Sequence, residues 1–432
     1  MRPSGCTRDN APPVVLEQIW LMTRLRLTIA AITLAFVATA ACSNDKAAGP
    51  TPPPTTAIPD PLAMTVVGRG AISARYTAEV WVRGDYAYTT SWGRRGATQT
   101  PGNTIYIWTV SGTNPVLTDS VFTDSSVITI GDVQISDDGK LLVVPTELAP
   151  GSILIYDLTI PTKPRLLSRY TSPNITRGVH TCEVARVNGS LYAFLSINRS
   201  ATALASLEIV DLSDPSAPTS VWVRAMGNPF VHDVFVRDGL LFTALWDDGL
   251  VIWDIGGGGK GGSVSGPVEM GRVLTDGGEV HNAWWYHDGA SGSKKYVFVG
   301  QEGPGSVGAA SSGDIHVVDI SDAATPREVA FLHIESAGTH NFSVDEARGF
   351  LYAAYYNAGV EVVDVRGDLG ACNTDARSAD GRCDLKKAGR HHAEGVRNQG
   401  TPVYVWGVHY LNDFVYASDM LNGLWKLRGY IR

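Results

Sequence analysis

The sequence predicts an all-β chain folded as a seven-bladed β-propeller, with four antiparallel strands per blade and the last blade closed by an N-terminal strand. Three observations carry this expectation. From residue 62 onward no stretch keeps a helical period, and short alternating apolar runs are separated by Gly, Asn and Asp turns. One apolar segment ending in Asp recurs along the chain, with strand-like segments before and after it at regular spacing. The 432 residues are 44% hydrophobic and only 18% charged, with 46 Gly, a core-forming, turn-rich composition that excludes a mostly disordered chain.

Taken from its start, the chain opens on a targeting segment, residues 1–41. Arg24 and Arg26 precede the apolar run 27–41, which ends Ala40, Ala41, Cys42. Basic residues, a short apolar stretch and small residues before a cut make a secretory signal. The run falls short of the roughly 20 residues of a membrane span. Met22 opens a signal of normal length, so 22–41 is the expected signal peptide, and Met1 and Met22 both stand as candidate starts. Residues 42–60 carry Pro50, Pro52, Pro53, Pro54 and Pro59 and read as a Pro-rich tether, which at about 3.1 Å per residue reaches roughly 50 Å. The propeller is expected over 61–432.

The recurring segment is clearest at 153–161 (ILIYDLTIP), 207–215 (LEIVDLSDP) and 315–322 (IHVVDISD). Weaker copies stand at 250–254, 360–364, 105–109 and 424–428, which makes seven. Before each copy lies a strand, a polar turn and a second strand: 80–90, 133–144, 184–196, 234–244, 283–299, 342–355 and 408–418. After most copies comes a strand led by Pro: 115–122, 164–170, 218–224, 267–274 and 326–334. Units of four strands in series are the pattern of a propeller. Only five residues follow 424–427, so the seventh unit lacks its outer strand. Residues 61–68 (PLAMTVVG) carry the same Pro-led pattern and are expected to supply it, hiding both sheet edges. The sixth unit holds a long insertion, 366–403, with Cys372, Cys383 and the pair His391 and His392. In an exported protein the two cysteines are expected to form a disulfide, and their spacing is not that of a zinc site.

Two resemblances add to this. Thr39, Ala40, Ala41 and Cys42 resemble a bacterial lipobox, with Thr where Leu is usual. That resemblance implies lipidation of Cys42 as the mature N-terminus, and Ser43 after it implies the outer membrane where the cell has one. The repeats, best seen at 207–218, resemble the LVIVD-repeat family of bacterial and archaeal cell-surface proteins across about 61–432. The resemblance implies a surface-located propeller and names no activity. Propellers of the Trp-Asp type fit less well, since only Trp253 and Asp254 carry that pair in place.

Candidate chemistry comes from one column. Aligned on the first strand of each unit, the residue before the leading apolar position is Glu79, Asp132, Glu183, Asp233, Asn282, Asn341 and Gly407. One position earlier stand His232, His281 and His340 in three successive units, with His180 and His409 nearby but off register. Innermost strands that start here would ring one channel mouth. Neutral imidazoles beside carboxylates suit a single divalent transition metal, with His232, His281, His340 and Asp233 as ligands. The bland alternative is that these groups cap backbone atoms and stitch neighbouring blades. The Gly-rich run 256–262 lacks the spacing of a phosphate-binding loop, and no nucleophile-elbow motif occurs. The repeated Asp157, Asp211, Asp254, Asp319 and Asp364 read as turn formers.

The functional expectation is an exported, lipid-anchored monomer at the cell envelope, acting as a binding or scaffolding module for an envelope protein, a polysaccharide or a small ligand. The lipid would be its sole membrane contact. A net charge of −8 without a basic run excludes nucleic acid as the main partner. The alternative is a metal-dependent hydrolase or oxidase that uses a His-lined channel mouth, with catalytic residues unassigned.

Overall fold

A computed structural model describes residues 61–227, 230–303 and 305–431. The signal segment, the tether and Cys42 lie outside the described residues. Seven sheets follow one another along the chain. Blade 1 runs Tyr76–Arg83, Tyr86–Trp92, Thr104–Thr109 and Val116–Phe122, and blade 2 runs Gln134–Ile135, Leu141–Thr146, Ser152–Asp157 and Arg165–Tyr170. Blade 3 comprises Val179–Val187, Ser190–Ile197, Ala205–Asp211 and Thr219–Gly227, and blade 4 Asp233–Arg237, Leu240–Ala244, Leu250–Asp254 and Val268–Val273. Blade 5 is Val280–Trp285, Tyr296–Gln301, Ile315–Asp319 and Arg327–Leu332. Blade 6 is Phe342–Asp345, Phe350–Ala354, Val360–Asp364 and His391–Gly395, and blade 7 begins with Val405–Leu411, Phe414–Asp419 and Gly423–Arg428. The seven-bladed propeller read from the repeats is the fold.

The repeats fold this way because each carries two instructions. The apolar third strands are buried from end to end in blades 4, 5 and 6 and up to the last residue in the other four, so both faces of each sheet pack on a neighbour. Seven apolar clusters result, one between each pair of adjacent blades; that between blades 4 and 5 joins Phe242, Ile252, Val280 and Val299. The Asp closing the third strand then turns the chain. Asp157, Asp211, Asp254, Asp319 and Asp364 each accept a hydrogen bond from the backbone N–H two residues on, at 2.7–3.0 Å. Around Asp254 the Gly-rich loop adds the N–H groups of Gly258, Lys260 and Gly262. The loop's donors therefore enclose the chain's own carboxylate.

Closure is split rather than single. Val66–Gly70 pairs antiparallel with Gly423–Arg428 and completes blade 7. Just before it, Leu62–Ala63 pairs parallel with His391–Gly395 and adds a fifth strand to blade 6. Gly68 and Gly70 are required by a close approach to blade 1. A Cβ on Gly70 would lie 2.4 Å from the Trp108 ring, and one on Gly68 would lie 2.3 Å from Asn114 Oδ1. From the other side, buried Lys426 donates to Val110 O at 2.6 Å and Gly112 O at 2.8 Å, which joins blade 7 to blade 1.

The insertion is narrower than the expected 366–403. His391–Gly395 is itself the outer strand of blade 6, although it lacks the Pro that leads the others. The excursion before it is stapled by the Cys372–Cys383 disulfide, with a Cα separation of 5.9 Å. Cys383–Asp384 then pairs parallel with Arg327–Leu332, and buried Leu369 and Leu385 pack into the cluster between blades 5 and 6.

Two outcomes follow for the fold. Deleting residues 62–70 should lower the melting temperature and cause aggregation, because the third strand of blade 7 becomes an open edge; an unchanged melting temperature would refute ring closure by this segment. Thiol labelling of denatured, unreduced protein should find Cys182 but neither Cys372 nor Cys383. The short cross-linked loop implies a stabilisation of about 3 kcal/mol or less, measurable as the loss in a Cys372→Ser/Cys383→Ser double variant.

Candidate functional site

The innermost strands pack side by side around the axis, and their starts converge on one mouth. Strict alternation would send consecutive side chains to opposite faces. In blades 3, 5 and 7 the ladder instead skips a residue, between Val179 and Thr181, Val280 and Asn282, and Val405 and Gly407. The skipped residues are His180, His281 and Trp406. A bulge of this kind re-aims one side chain, and here it turns each toward the mouth. It also explains how His180, off register in the sequence, joins the others.

The rings form an arc across five blades. Centroid separations are 4.3 Å for His180–His232, 4.2 Å for His232–His281, 4.2 Å for His281–His340 and 4.1 Å for His340–Trp406. A second set of residues comes from just beyond the second strands: Glu147, Trp246, Glu302 and Tyr356. Glu147 Oε1 lies 3.1 Å from His180 Nδ1, whose Nε2 lies 3.1 Å from His232 Nε2. Glu302 Oε2 lies 3.3 Å from His232 Nε2 and 3.7 Å from His281 Nε2, and the Tyr356 hydroxyl donates to Glu302 Oε1. Trp246 stacks on His232 at 5.2 Å, with Phe230 beside both.

Burial and the neighbouring rings push His281 well below its ordinary value, and His232 is lowered for the same reasons. Burial, together with the neighbouring imidazoles, likewise takes His340 well below. These rings are neutral at physiological pH. Burial opposes protonation of His180 as well, but Glu147 outweighs it and the balance is upward. For Glu302, burial works against the charge, yet His281, His232 and the Tyr356 hydroxyl more than offset it and bring the carboxyl to about 2. Buried His281 has no hydrogen-bond partner at either nitrogen, and Nδ1 of His232 and of His340 also lacks one. Each orphaned group of this kind carries a penalty of about 1–3 kcal/mol. Among the described residues, one group of side chains brings three potential metal-ligating atoms within 4.8 Å of one another: His232, His281 and Glu302. His340 and Asp233, the other two ligands expected from sequence, stand beside this group without being members of it.

The acid and amide column forms a second tier. Asp132 accepts from Val133 N at 2.7 Å and from Cys182 N at 2.8 Å, which ties blade 2 to blade 3. Asn282 accepts from Gly300 N at 3.1 Å within its own blade. Glu79 accepts from Val80 N at 2.9 Å and from the Asn341 amide of blade 6. Blade 7 lies between the two, and Gly407 makes the contact possible, since a Cβ there would sit 2.0 Å from Glu79 Oε1. The glycine that breaks the column is thus the seat of its neighbour's carboxylate. Burial, reinforced by the charge of Asp132, raises Glu79 to about 8 and Asp233 to about 7. Burial raises Asp132 to about 6, and Glu183 stands well above its ordinary value from burial and the charges of Asp233 and Asp132. Glu183 and Asp233 keep some water contact although protein surrounds them, as expected of groups lining a narrow channel. His409 lies one tier further along, against Trp81 at 5.1 Å, and burial lowers it to about 4.

Comparison with known proteins fits this architecture. The family model of the LVIVD repeat matches residues 74–94, 201–222 and 230–275. These stretches are similar to LVIVD repeats, and all of them lie within blades of the propeller. The last match spans the whole of blade 4 and includes Phe230, His232, Asp233 and Trp246; the first covers the two inner strands of blade 1 with Glu79. No curated protein matches the chain.

Sequence reasoning missed Glu147, Trp246, Glu302 and Tyr356. A signal for them existed. Counting two residues on from the partner of the leading apolar residue of each recurring segment (Pro145 opposite Ile153, Ala244 opposite Leu250, Gly300 opposite Ile315 and Ala354 opposite Val360) reaches all four. Their residue types differ from blade to blade, so only the strand register exposes the column.

The second tier implies a pH dependence. A carboxyl raised from 4.5 to about 8, as Glu79 is, holds an extra proton in the native state. Its stabilisation is full below the unfolded value and is lost as pH rises through the folded one. The lowered imidazoles act in the opposite sense but below about pH 6.5. Between about pH 7 and 9 the denaturation midpoint should therefore fall, and Glu79→Gln should flatten the fall. A midpoint that rises with pH, or a variant as steep as the parent, would contradict this.

Proposed function

We propose that this protein is an exported, lipid-anchored binding module of the cell envelope, with the His-lined channel mouth as its ligand site. The observation that carries the binding reading is a set of buried, neutral imidazoles at one end of the channel, in which both nitrogens of His281 and Nδ1 of His232 and of His340 have no hydrogen-bond partner. Groups that serve only to stitch blades would spend those nitrogens on backbone atoms, as Asp132 spends its oxygens. The aromatic wall of Phe230, Trp246 and Trp406 gives a small ligand apolar area beside them. Export and anchoring rest on Arg24, Arg26, the apolar run and Cys42, and the Pro-rich tether 42–60 supplies reach from a membrane surface.

A second reading has a specific observation in its favour. Two His and one carboxylate form the ligand set of hydrolytic zinc sites and of non-haem iron oxygenases, and His232, His281 and Glu302 match that composition. The mouth would then be the centre of a metal-dependent hydrolase or oxidase.

Two measurements test the binding module. Cys42→Ser should release the protein from membrane fractions, and a variant that stays membrane-bound refutes the anchor. Native mass spectrometry of protein extracted from its own membranes should show a mass excess from a bound species, organic or inorganic, that is lost in Trp246→Ala. A parent protein without any excess would refute the mouth as a ligand site.

A further inference from the structure

We infer that His232, His281 and Glu302 hold one divalent transition-metal ion, bound through His232 Nε2, His281 Nε2 and Glu302 Oε2. This rests on the reading of the mouth as the ligand site and names what that site binds first.

Geometry is the first argument. Bonds of about 2.1 Å to nitrogen and oxygen place neighbouring ligands of a tetrahedral ion about 3.4 Å apart. The observed separations from Glu302 Oε2 are 3.3 Å to His232 Nε2 and 3.7 Å to His281 Nε2, and all three donors lie within 4.8 Å. The same 3.7 Å is too long for a hydrogen bond. His281 Nε2 therefore faces a carboxylate oxygen without bonding to it, although its residue is only 2% exposed. An ion between the two satisfies both atoms at once.

The surroundings fit a resident cation. Tyr356 donates to Glu302 Oε1, which fixes the carboxylate and leaves Oε2 for the ion. Such outer hydrogen bonds orient ligands at metal sites. His180, held by Glu147, stands with Nε2 3.1 Å from His232 Nε2 and outside the group of three. Two imidazoles and one carboxylate favour a borderline ion such as Zn(II), Co(II) or Fe(II) over the hard ions Ca(II) and Mg(II), which prefer oxygen. The second tier offers no rival: no three of the carboxylates Glu79, Asp132, Glu183 and Asp233 bring their oxygens together in this way among the described residues.

The test uses full-length mature protein in detergent, stripped with a chelator and titrated with Co(II). The expected result is one equivalent bound, with the visible bands of a low-coordinate cobalt site, displaced by Zn(II). Glu302→Gln and His281→Ala should each weaken Co(II) binding by roughly 100-fold or more, and Tyr356→Phe by about 10-fold. His409→Ala, which removes an imidazole one tier further along the channel, against Trp81, should leave binding unchanged. Should His281→Ala fail to fold, the near-isosteric Glu302→Gln and Tyr356→Phe carry the test. The proposal is overturned if the parent binds no stoichiometric Co(II), if Glu302→Gln binds as tightly as the parent, or if His409→Ala abolishes binding. An organic species in the native mass spectrum, with no Co(II) bound after stripping, would overturn the metal site while leaving the mouth as a binding site.

Discussion

Ring closure is the constraint on which everything else in this molecule depends. No blade supplies the mouth alone. His180, His232, His281, His340 and Trp406 come from five successive blades, and their contacts of about 4 Å exist only while those blades keep their angular spacing. That spacing is set by the apolar clusters between neighbouring sheets and is locked at one seam, where Val66–Gly70 completes blade 7 and slides Gly70 against Trp108 of blade 1. An open array would let the wedges relax apart. The buried Lys426 at the same seam gives its charge to two carbonyls of blade 1, so the closing contact is directional as well as apolar.

A closed ring makes room for local conflict. The channel gathers neutral imidazoles without partners and carboxyls held protonated by burial, neither of which a small domain would tolerate cheaply. Bulges at the starts of three inner strands interrupt the ladder to present these groups. Features of this type are expected where structure serves binding rather than stability, and here they cluster at one mouth. The large stabilising area lies elsewhere, in interfaces such as Phe242, Ile252 and Val299, where packing is dry and ordinary.

The architecture was legible because a propeller repeats its physical problem. Every third strand must be apolar on both faces and must end in a turn, so LEIVD at 207–211 and VEVVD at 360–364 resemble each other without sharing a task at the mouth. The His column was legible for a similar reason, since equivalent strand starts meet on the axis. Glu302 and Tyr356 were not, because their column is defined by the ends of second strands, where chemistry varies and only pairing fixes the register. The split of the N-terminal segment was hidden too. Leu62–Ala63 and Val66–Gly70 read as one Pro-led strand, and nothing in the sequence says that a chain crossing from blade 6 to blade 7 must break between them. His391–Gly395 escaped because it replaces the usual leading Pro with a return from the disulfide-stapled excursion.

Charge in the channel ends up far from evenly spread. Below, the carboxyl of Glu79 is raised to about 8 and carries a proton at neutral pH, Glu183 stands well above its ordinary value from burial, and Asp233 sits near the midpoint at about 7. Above, three of the four imidazoles are neutral, and the fourth, His180, is matched by Glu147. What remains is Glu302, ionised because a phenol and two imidazoles stabilise it. A single unbalanced carboxylate in a low-dielectric mouth exerts a far larger field than the same group in water. Beside it stand two imidazoles lowered by burial, and His281, at 3.7 Å, makes no hydrogen bond to it. A cation at the proposed site would balance that carboxylate where the field is strongest, at the mouth rather than along the acid tier below it.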